Sequence, residues 1–296
     1  MVTHIQLATL VEASLVADSL ALPAHWVYSP LKIATDFGRV SDLLSPPKDS
    51  YHAARGHGDQ THYGDQALLL WQSLQATGGF DAADFMVRWQ AFWANTPAYR
   101  DGATRKTLEN LAGGALPTEA GSSSSDFGGA ARIAPLLAVL KEAPDEAVCE
   151  AARAQTLLTH RDVAVGDAAC FLVRATRAIL RGESVSEALH HAAEAEYGSL
   201  PAKQLLAKAE AALPLGAVEA AAACGLACDV AQAFPTTLVL ALLYPTDLEN
   251  GLIENVMVGG DSAARGLALG MLLGAREGAR VPERWLAAWN GPSITV

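Results

Sequence analysis

The stretch GGDSAARGLALGMLLGAREG, residues 259–278, is the clearest indication of the fold class of this chain. From Gly266 to Gly278 a glycine recurs at every fourth position, so a helix here carries the glycines as one stripe along one side. Each glycine inside a helix costs about 1 kcal/mol relative to alanine. Close packing of a second helix against the bare stripe would offset that cost. The stretch therefore predicts a central helix over residues 262–278.

The rest of the chain has the same helical character. Apolar residues recur at three-to-four spacing, and alternating strand patterns are almost absent, which predicts an all-α protein. The other predicted helices cover residues 5–22, 66–75, 82–95, 130–141, 144–159, 162–181, 185–196, 201–213, 219–233, 236–243 and 247–258. Loops are expected at residues 45–64 and 114–129. Similar apolar helices flank the second loop, so we predict one domain over residues 1–296.

Composition limits the possible functions. The 296 residues are 51% hydrophobic and 18% charged, which is typical of a folded protein with a large core. A net charge of −11 opposes binding to nucleic-acid phosphates. The apolar runs are interrupted by charges or prolines, and the N-terminal run has no basic segment before it. Four cysteines without paired Cys-x-x-Cys motifs fit a reducing compartment. We therefore expect a soluble cytoplasmic protein without a nucleic-acid or membrane partner.

Two aspartates follow glycine at the start of an apolar helix. They are Asp65, after Gly64, and Asp261, after Gly260. One interpretation is that each caps its helix, because a carboxylate at that position accepts bonds from free N–H groups. The other is that both helix starts meet and hold a hard cation. Asp18, inside the apolar run 15–22, favours the second interpretation because a buried carboxylate needs a partner.

Histidines are concentrated in and near the first loop. His52, His57 and His62 lie within eleven residues of one another, and His25 follows the first predicted helix. Imidazoles serve as ligands for softer metals and as acid or base groups near neutral pH. Alternatively, they are ordinary hydrogen-bonding residues of an exposed loop. Trp26 is the aromatic residue expected at the border of a pocket.

Five short motifs occur in the order found in the ADP-ribosylglycohydrolases. They are ADSLALPAH at 17–25, YGDQ at 63–66, GGAARIAPL at 128–136, THRD at 159–162 and GGDSAA at 259–264. The chain therefore resembles this family, which includes dinitrogenase-reductase-activating glycohydrolase and the ADP-ribosylarginine hydrolases, over nearly its whole length. The resemblance implies a compact orthogonal helical bundle. It also implies hydrolysis of the N- or O-glycosidic bond of an ADP-ribosylated substrate, either small or protein-linked.

The resemblance also concerns a paired magnesium site. Of the six side-chain ligand positions in two of these motifs, the chain keeps only Asp65 and Asp261. The other four positions hold Tyr63, Gly64, Ala263 and Ala264. Magnesium requires about six oxygens, so we do not expect the paired site. We expect either no metal or one weakly bound divalent ion, Mg²⁺ or Mn²⁺, on Asp65 and Asp261.

The resemblance and the residue types together define the candidate site. The catalytic candidates are Asp18, His25, Asp65 and Asp261, and the three aspartates are expected to meet in one pocket with His25 at its edge. The candidates for binding ADP-ribose are Ser125, Asp126, Gly128, Gly129, Arg132, His160 and Asp162. Two alternatives stay open at this point. One is an inactive family member that binds ADP-ribose, a nucleotide or a protein, and the other is a metal-free hydrolase of another glycoside.

Overall fold

The computed structural model describes residues 2–296, and this part of the chain is almost entirely helical. Its β-type pairings are two isolated bridges, one between Ser122 and His160 and one between Asp126 and Asp229. The helices are α1 (His4–Ala21), α2 (Pro30–Phe37), α3 (His62–Thr77), α4 (Ala82–Asn95), α5 (Gly102–Ala112), α6 (Gly128–Ala131), α7 (Ala134–Val139), α8 (Asp145–Leu157), α9 (Val163–Leu180), α10 (Val185–Ala193), α11 (Ala202–Ala212), α12 (Ala217–Cys224), α13 (Val230–Leu243), α14 (Leu248–Met257), α15 (Ser262–Gly274) and α16 (Glu283–Ala288). The all-α prediction is confirmed.

The pair α1 and α15 forms the centre of the bundle. Every residue of α15 is buried, and its glycine stripe faces α1. A side chain on Gly270 would collide with the carbonyl of Ala13, and one on Gly266 would lie 3.0 Å from the carbonyl oxygen of Ala17. The close approach of the two backbones explains why glycine is needed there. The predicted packing role of the stripe is confirmed.

The stripe is shorter than expected. Helix α15 ends at Gly274, whereas the sequence predicts a helix up to Gly278. Gly278 has a φ of +74°, and a Cβ added to it would meet no atom within 4 Å, so it serves a turn and not a helix contact. This part of the prediction is wrong.

Helix α3 begins four residues earlier than predicted. Its cap is Thr61, whose hydroxyl accepts a hydrogen bond from the N–H of Tyr63 at 3.1 Å. Asp65 therefore lies inside the first turn of α3 and is not its cap, which corrects one of the two interpretations of this residue. At α15, Asp261 occupies the cap position, but its side chain makes no capping hydrogen bond.

Two other regions differ from the sequence prediction. The expected helices 219–233 and 236–243 are α12 and α13, separated by an irregular stretch that starts at Gly225 with a φ of +111°. Asp229 caps α13, which continues through Pro235. The expected helix 130–141 is split into the short helices α6 and α7. Helices α2, α5 and α16, of 8, 11 and 6 residues, are missing from the predicted set.

Buried apolar side chains form one cluster that extends from Leu7 to Ile294. Trp71, Trp89 and Trp93 belong to this core. Within residues 2–296, no helix combines the length and the hydropathy that a membrane span requires.

Candidate functional site

The segment after α1 is fixed to the segment before α15. The N–H of Trp26 donates to the carbonyl of Gly260 at 2.9 Å, and the N–H of Gly260 donates to the carbonyl of Val27 at 2.9 Å. Trp26 adopts a φ of 66°, which is unusual for a residue with a side chain. This turn brings His25 next to Asp261, with 3.5 Å between Nδ1 and Oδ1. Residues separated by most of the chain thus share one site.

Asp126, Cys228 and Asp261 lie together near the hydroxyl of Tyr63. We call these three residues the carboxylate cluster. The ligand atoms of the cluster lie within 4.8 Å of one another. The Tyr63 hydroxyl donates to Asp126 Oδ2 at 2.8 Å and lies 3.4 Å from Asp261 Oδ2. Its ring fits against Gly128, where any side chain would collide with it. Cys228 is only half-buried, so the cluster approaches the surface on that side.

Burial controls the ionisation of this cluster. It raises the pKa of Asp126 to about 6, and the charge of Asp101 adds to the effect. Burial raises the pKa of Asp261 well above its usual value, and the nearby Asp126 raises it further, while Arg265 partly opposes both. Burial and mutual repulsion therefore favour the sharing of one proton by this pair of carboxyl groups. The pKa of Tyr63 is raised well above 10.0 by burial, so the phenol remains a donor.

A second group consists of His25, His52 and His62, which we call the imidazole cluster. One nitrogen of each ring lies within 4.8 Å of the other two. The three residues are 5%, 2% and 0% exposed. Burial lowers the pKa of His52 to about 3 and that of His25 well below its usual value, so both rings are neutral. Contrary to expectation, His25 is buried inside the site and does not lie at its edge.

Aromatic rings cover the imidazole cluster. The Trp26 ring lies 4.3 Å from the His25 ring and stacks on His52 at 6.0 Å. Tyr51 and Tyr99 pack edge-on against Trp26 at 5.1 and 5.3 Å. The rings of His62 and Tyr63 are 3.9 Å apart, so the two clusters form one continuous site.

Asp18 supports the start of α3. Its Oδ1 accepts from the N–H of Thr61 at 2.7 Å, and its Oδ2 accepts from the Thr61 hydroxyl at 2.5 Å and from the N–H of Gly64 at 3.1 Å. Burial raises its pKa to about 6, and the bonds from Thr61 oppose this rise. Asp18 is therefore a positioning residue that fixes the helix carrying Tyr63.

Asp65 has a different partner. Its carboxylate forms an ion pair with the guanidinium of Arg55. Burial raises its pKa to about 8 although Arg55 opposes the shift, and the charge of Asp18 adds to it. Within residues 2–296, the groups of three possible metal ligands include Asp261 but not Asp65. The shared metal on Asp65 and Asp261 stays a prediction.

The serine-rich loop is tied to the segment before α13. Phe127 N–H donates to the carbonyl of Cys228 at 2.8 Å, and Val230 N–H donates to the carbonyl of Ser125 at 2.9 Å. The Ser125 hydroxyl also donates to Asp229 at 2.5 Å. These bonds place Ser125 and the carboxylate cluster side by side.

The remaining candidates for substrate binding are less accessible. Arg132 is 1% exposed and donates to Gln66 at 2.6 Å and to the Thr159 hydroxyl, so its guanidinium is used inside the protein. His160 packs against Gly129, where a side chain would lie 2.7 Å from its ring. Asp162 caps α9 by accepting from Val165 N–H at 3.1 Å. Their predicted contacts with ADP-ribose stay predictions.

The residues present do not fit a paired magnesium site. A side chain on Gly64 would collide with Gln60 and Asp18, so no ligand can be placed at that position. Ala263 and Ala264 have no side-chain oxygen, and the Tyr63 phenol occupies the space between two of the carboxylates. Two adjacent Mg²⁺ ions would therefore lack the oxygens that offset their mutual repulsion.

Some site residues are not evident from the sequence. Cys228 belongs to none of the motifs, and Tyr63 stands out only because it occupies a ligand position that the resemblance implies. Asp101, whose Oδ2 lies 3.5 Å from His62 Nε2, belongs to none of the motifs. It precedes Gly102 at the start of α5, which is a capping pattern, but the sequence has no signal that it faces His62.

Two comparisons with known proteins gave matches. Residues 10–295 match the family model described as ADP-ribosylglycohydrolase. A solved structure named "ADP-ribosylglycohydrolase-related protein complex" is similar to this chain with a TM-score of 0.75 and 26% sequence identity, over 97% of this chain and 93% of that one. A search of curated proteins returned no match.

Proposed function

Because the chain belongs to the ADP-ribosylglycohydrolase family, we propose that it hydrolyses the N- or O-glycosidic bond between ribose and an acceptor in an ADP-ribosylated substrate, at a site that does not use paired magnesium. The carboxylate cluster is the part of the protein that would carry the reaction. It stands beside Ser125, in the loop that leads into the motif at 128–136.

The observation that carries the proposal is the close approach of two buried carboxyl groups, of which one accepts the hydrogen bond of Tyr63. Hydrolysis of a glycosidic bond needs a proton for the leaving group and negative charge near an oxocarbenium-like centre. Both pKa values are raised by burial, and the Tyr63 hydroxyl donates to Asp126 at 2.8 Å, which favours the negative charge on Asp126 and the shared proton on Asp261. We assign Asp261 as the general acid and Asp126 as the stabilising carboxylate.

Neighbouring groups support these two roles. Tyr63 donates to Asp126 and so helps to keep it ionised. The Nδ1 of His25 lies 3.5 Å from Asp261 Oδ1, close enough for the neutral imidazole to exchange a proton with that carboxyl group once it is drawn nearer. The backbone around Ser125 and Gly128 borders the cluster and would contact the substrate.

The test is release of ADP-ribose from substrates modified on arginine or serine. We expect release by the native protein and a loss of about 100-fold or more in rate for Asp261→Asn, which cannot donate the carboxyl proton. Asp81→Asn is a matched control, since Asp81 is the exposed cap of α4 and asparagine caps equally well. Native rates in the Asp261→Asn protein would contradict the assignment.

A second function is favoured by one observation. The Tyr63 phenol fills the space between Asp126 and Asp261, which would leave a site that binds ADP-ribose without cleaving it. In that case calorimetry would detect binding of ADP-ribose, and no substrate would be cleaved under any condition. Binding without turnover would thus show that the protein is an inactive ADP-ribose-binding protein and not a hydrolase.

A further inference from the structure

We propose that His25, His52 and His62 form a binding site for one divalent transition-metal ion of the zinc type. The proposal concerns the imidazole cluster and does not depend on the hydrolase. A protein that cleaves no ADP-ribosyl bond would still bind this ion.

The first argument is convergence of ligands. The three histidines come from the segment after α1, from the first loop and from the first residue of α3, and one nitrogen of each lies within 4.8 Å of the others. Zinc is bound by imidazole nitrogen at about 2.0–2.1 Å, so the ligand atoms of a tetrahedral site lie about 3.3 Å from one another. A small contraction of the three rings completes three corners of a tetrahedron.

The second argument is that each ring has a buried nitrogen without a hydrogen-bond partner. Among residues 2–296, the buried Nε2 atoms of His25, His52 and His62 have no hydrogen-bond partner, and neither has the Nδ1 of His62. An unpaired buried polar atom destabilises the folded protein, so three such rings together are an unfavourable arrangement. A bound ion would satisfy three of these nitrogens at once.

The third argument is the surroundings of the rings. Asp261 Oδ1 lies 3.5 Å from His25 Nδ1, and Asp101 Oδ2 lies 3.5 Å from His62 Nε2. Histidine ligands of metals commonly donate their second nitrogen to a carboxylate, which fixes the ring orientation. A metal on Nε2 of His25 would place the ring proton on Nδ1, facing Asp261, and the N–H of Ala263, which donates to Nδ1 at 3.3 Å, would then have to turn away.

The donor set determines the kind of ion. Three neutral nitrogens suit zinc, cobalt or nickel, whereas magnesium and calcium require oxygen ligands. Three protein ligands leave one tetrahedral position for water or another small ligand. The rings of Trp26, Tyr51 and Tyr99 form the apolar shell around the cluster.

The experiment measures metal directly on the full chain. The purified protein is stripped with a chelator, incubated with zinc and freed of excess ion, and its metal content is determined by mass spectrometry. We expect about one zinc per chain. With cobalt in place of zinc, we expect the intense visible absorption of a tetrahedral site. A folded protein that retains no zinc and shows no such absorption would overturn the proposal.

Variants link the ion to the three histidines. We expect His52→Ala to weaken zinc binding by more than about 100-fold, and Asp101→Asn to weaken it by about 10-fold, because asparagine still caps α5 but lacks the charge. His57→Ala, on the same loop but exposed, is the matched control and should bind like the native protein. Unchanged zinc affinity in the His52→Ala protein would also overturn the proposal, whether or not the protein is a hydrolase.

Discussion

The hydroxyl of Tyr63 lies 2.8 Å from Asp126 and 3.4 Å from Asp261, so a phenol stands between two buried carboxyl groups. Tyr63 replaces a family ligand position, and its ring is accommodated because Gly128 has no side chain. The Tyr63 hydroxyl is a neutral hydrogen-bond donor. It lies between the two carboxyl groups, where two negative charges would otherwise have to be balanced. The tyrosine at position 63 of the YGDQ motif therefore affects the chemistry that the two carboxyl groups can carry out.

Tyr63→Phe tests this relationship. The change removes one donor and leaves Asp126 Oδ2 with one fewer partner in a buried position, so we expect a loss of about 1–3 kcal/mol in the free energy of unfolding, measured with urea. Tyr197→Phe is a suitable control, since the Tyr197 hydroxyl bonds to a backbone carbonyl in a half-buried place. A Tyr63→Phe protein as stable as the native one would show that the phenol bond is unimportant.

The pH dependence of turnover follows from Asp126. With a pKa of about 6, this group gains a proton as the pH falls through 6, and the stabilising charge is lost. We expect the rate of ADP-ribose release to decrease below about pH 6. A profile that is flat from pH 5 to pH 7, in the same assay and with folded protein, is incompatible with the role given to Asp126.

The stability of the fold should depend on Asp18. Burial raises its folded-state pKa to about 6, while its usual value is 3.8, so the folded protein binds the proton more tightly than the unfolded chain does. This group therefore destabilises the protein increasingly as the pH rises from about 4 to about 6, by about 3 kcal/mol in total.

Asp18→Asn isolates that contribution because asparagine does not titrate. We expect the variant to be less stable at low pH, since its amide group faces the N–H of Gly64, and to lack the part of the pH dependence that Asp18 supplies. Urea unfolding of both proteins between pH 4 and pH 7 measures the difference. Parallel stability curves would contradict the shifted pKa.

The contact between α1 and α15 makes Gly270 intolerant of substitution. A Cβ at this position collides with the carbonyl of Ala13, so we expect Gly270→Ala to cost about 1–3 kcal/mol and Gly270→Leu more. Gly102→Ala is the control, because Gly102 is at the start of α5 and has no neighbour within 4 Å of the added atom. Thermal unfolding of the three proteins compares them. Equal stability of Gly270→Ala and the control would mean that the two backbones are not in close contact.

Much of the fold is predictable from local patterns. Helix α4 has the predicted bounds, and the glycine stripe correctly indicates the central helix. These signals are local, because the spacing of apolar residues and the energetic cost of glycine both act within a single helix. The break at Gly225 escapes prediction because it depends on one glycine with positive φ, and the predicted start of α13 is too late because Pro235 resembles a helix boundary.

The site is only partly predictable. Motifs identify Asp261 and His25, and the structure brings the two together. Packing between distant segments determines the position of Cys228 and the partners of Asp65 and Arg132. The spacing of residues along the chain contains no information about that packing. The turn at Trp26 joins the segment after α1 to the segment before α15. It has no sequence pattern that distinguishes it from an ordinary loop.

The central claim, a hydrolase of this family without paired magnesium, is tested most directly by the magnesium dependence of ADP-ribose release. The native protein is freed of magnesium and assayed on an ADP-ribosylated substrate over a series of magnesium concentrations. We predict release of ADP-ribose at a rate that magnesium does not change. Release that is absent without magnesium and rises to saturation with two ions bound per chain would contradict the claim.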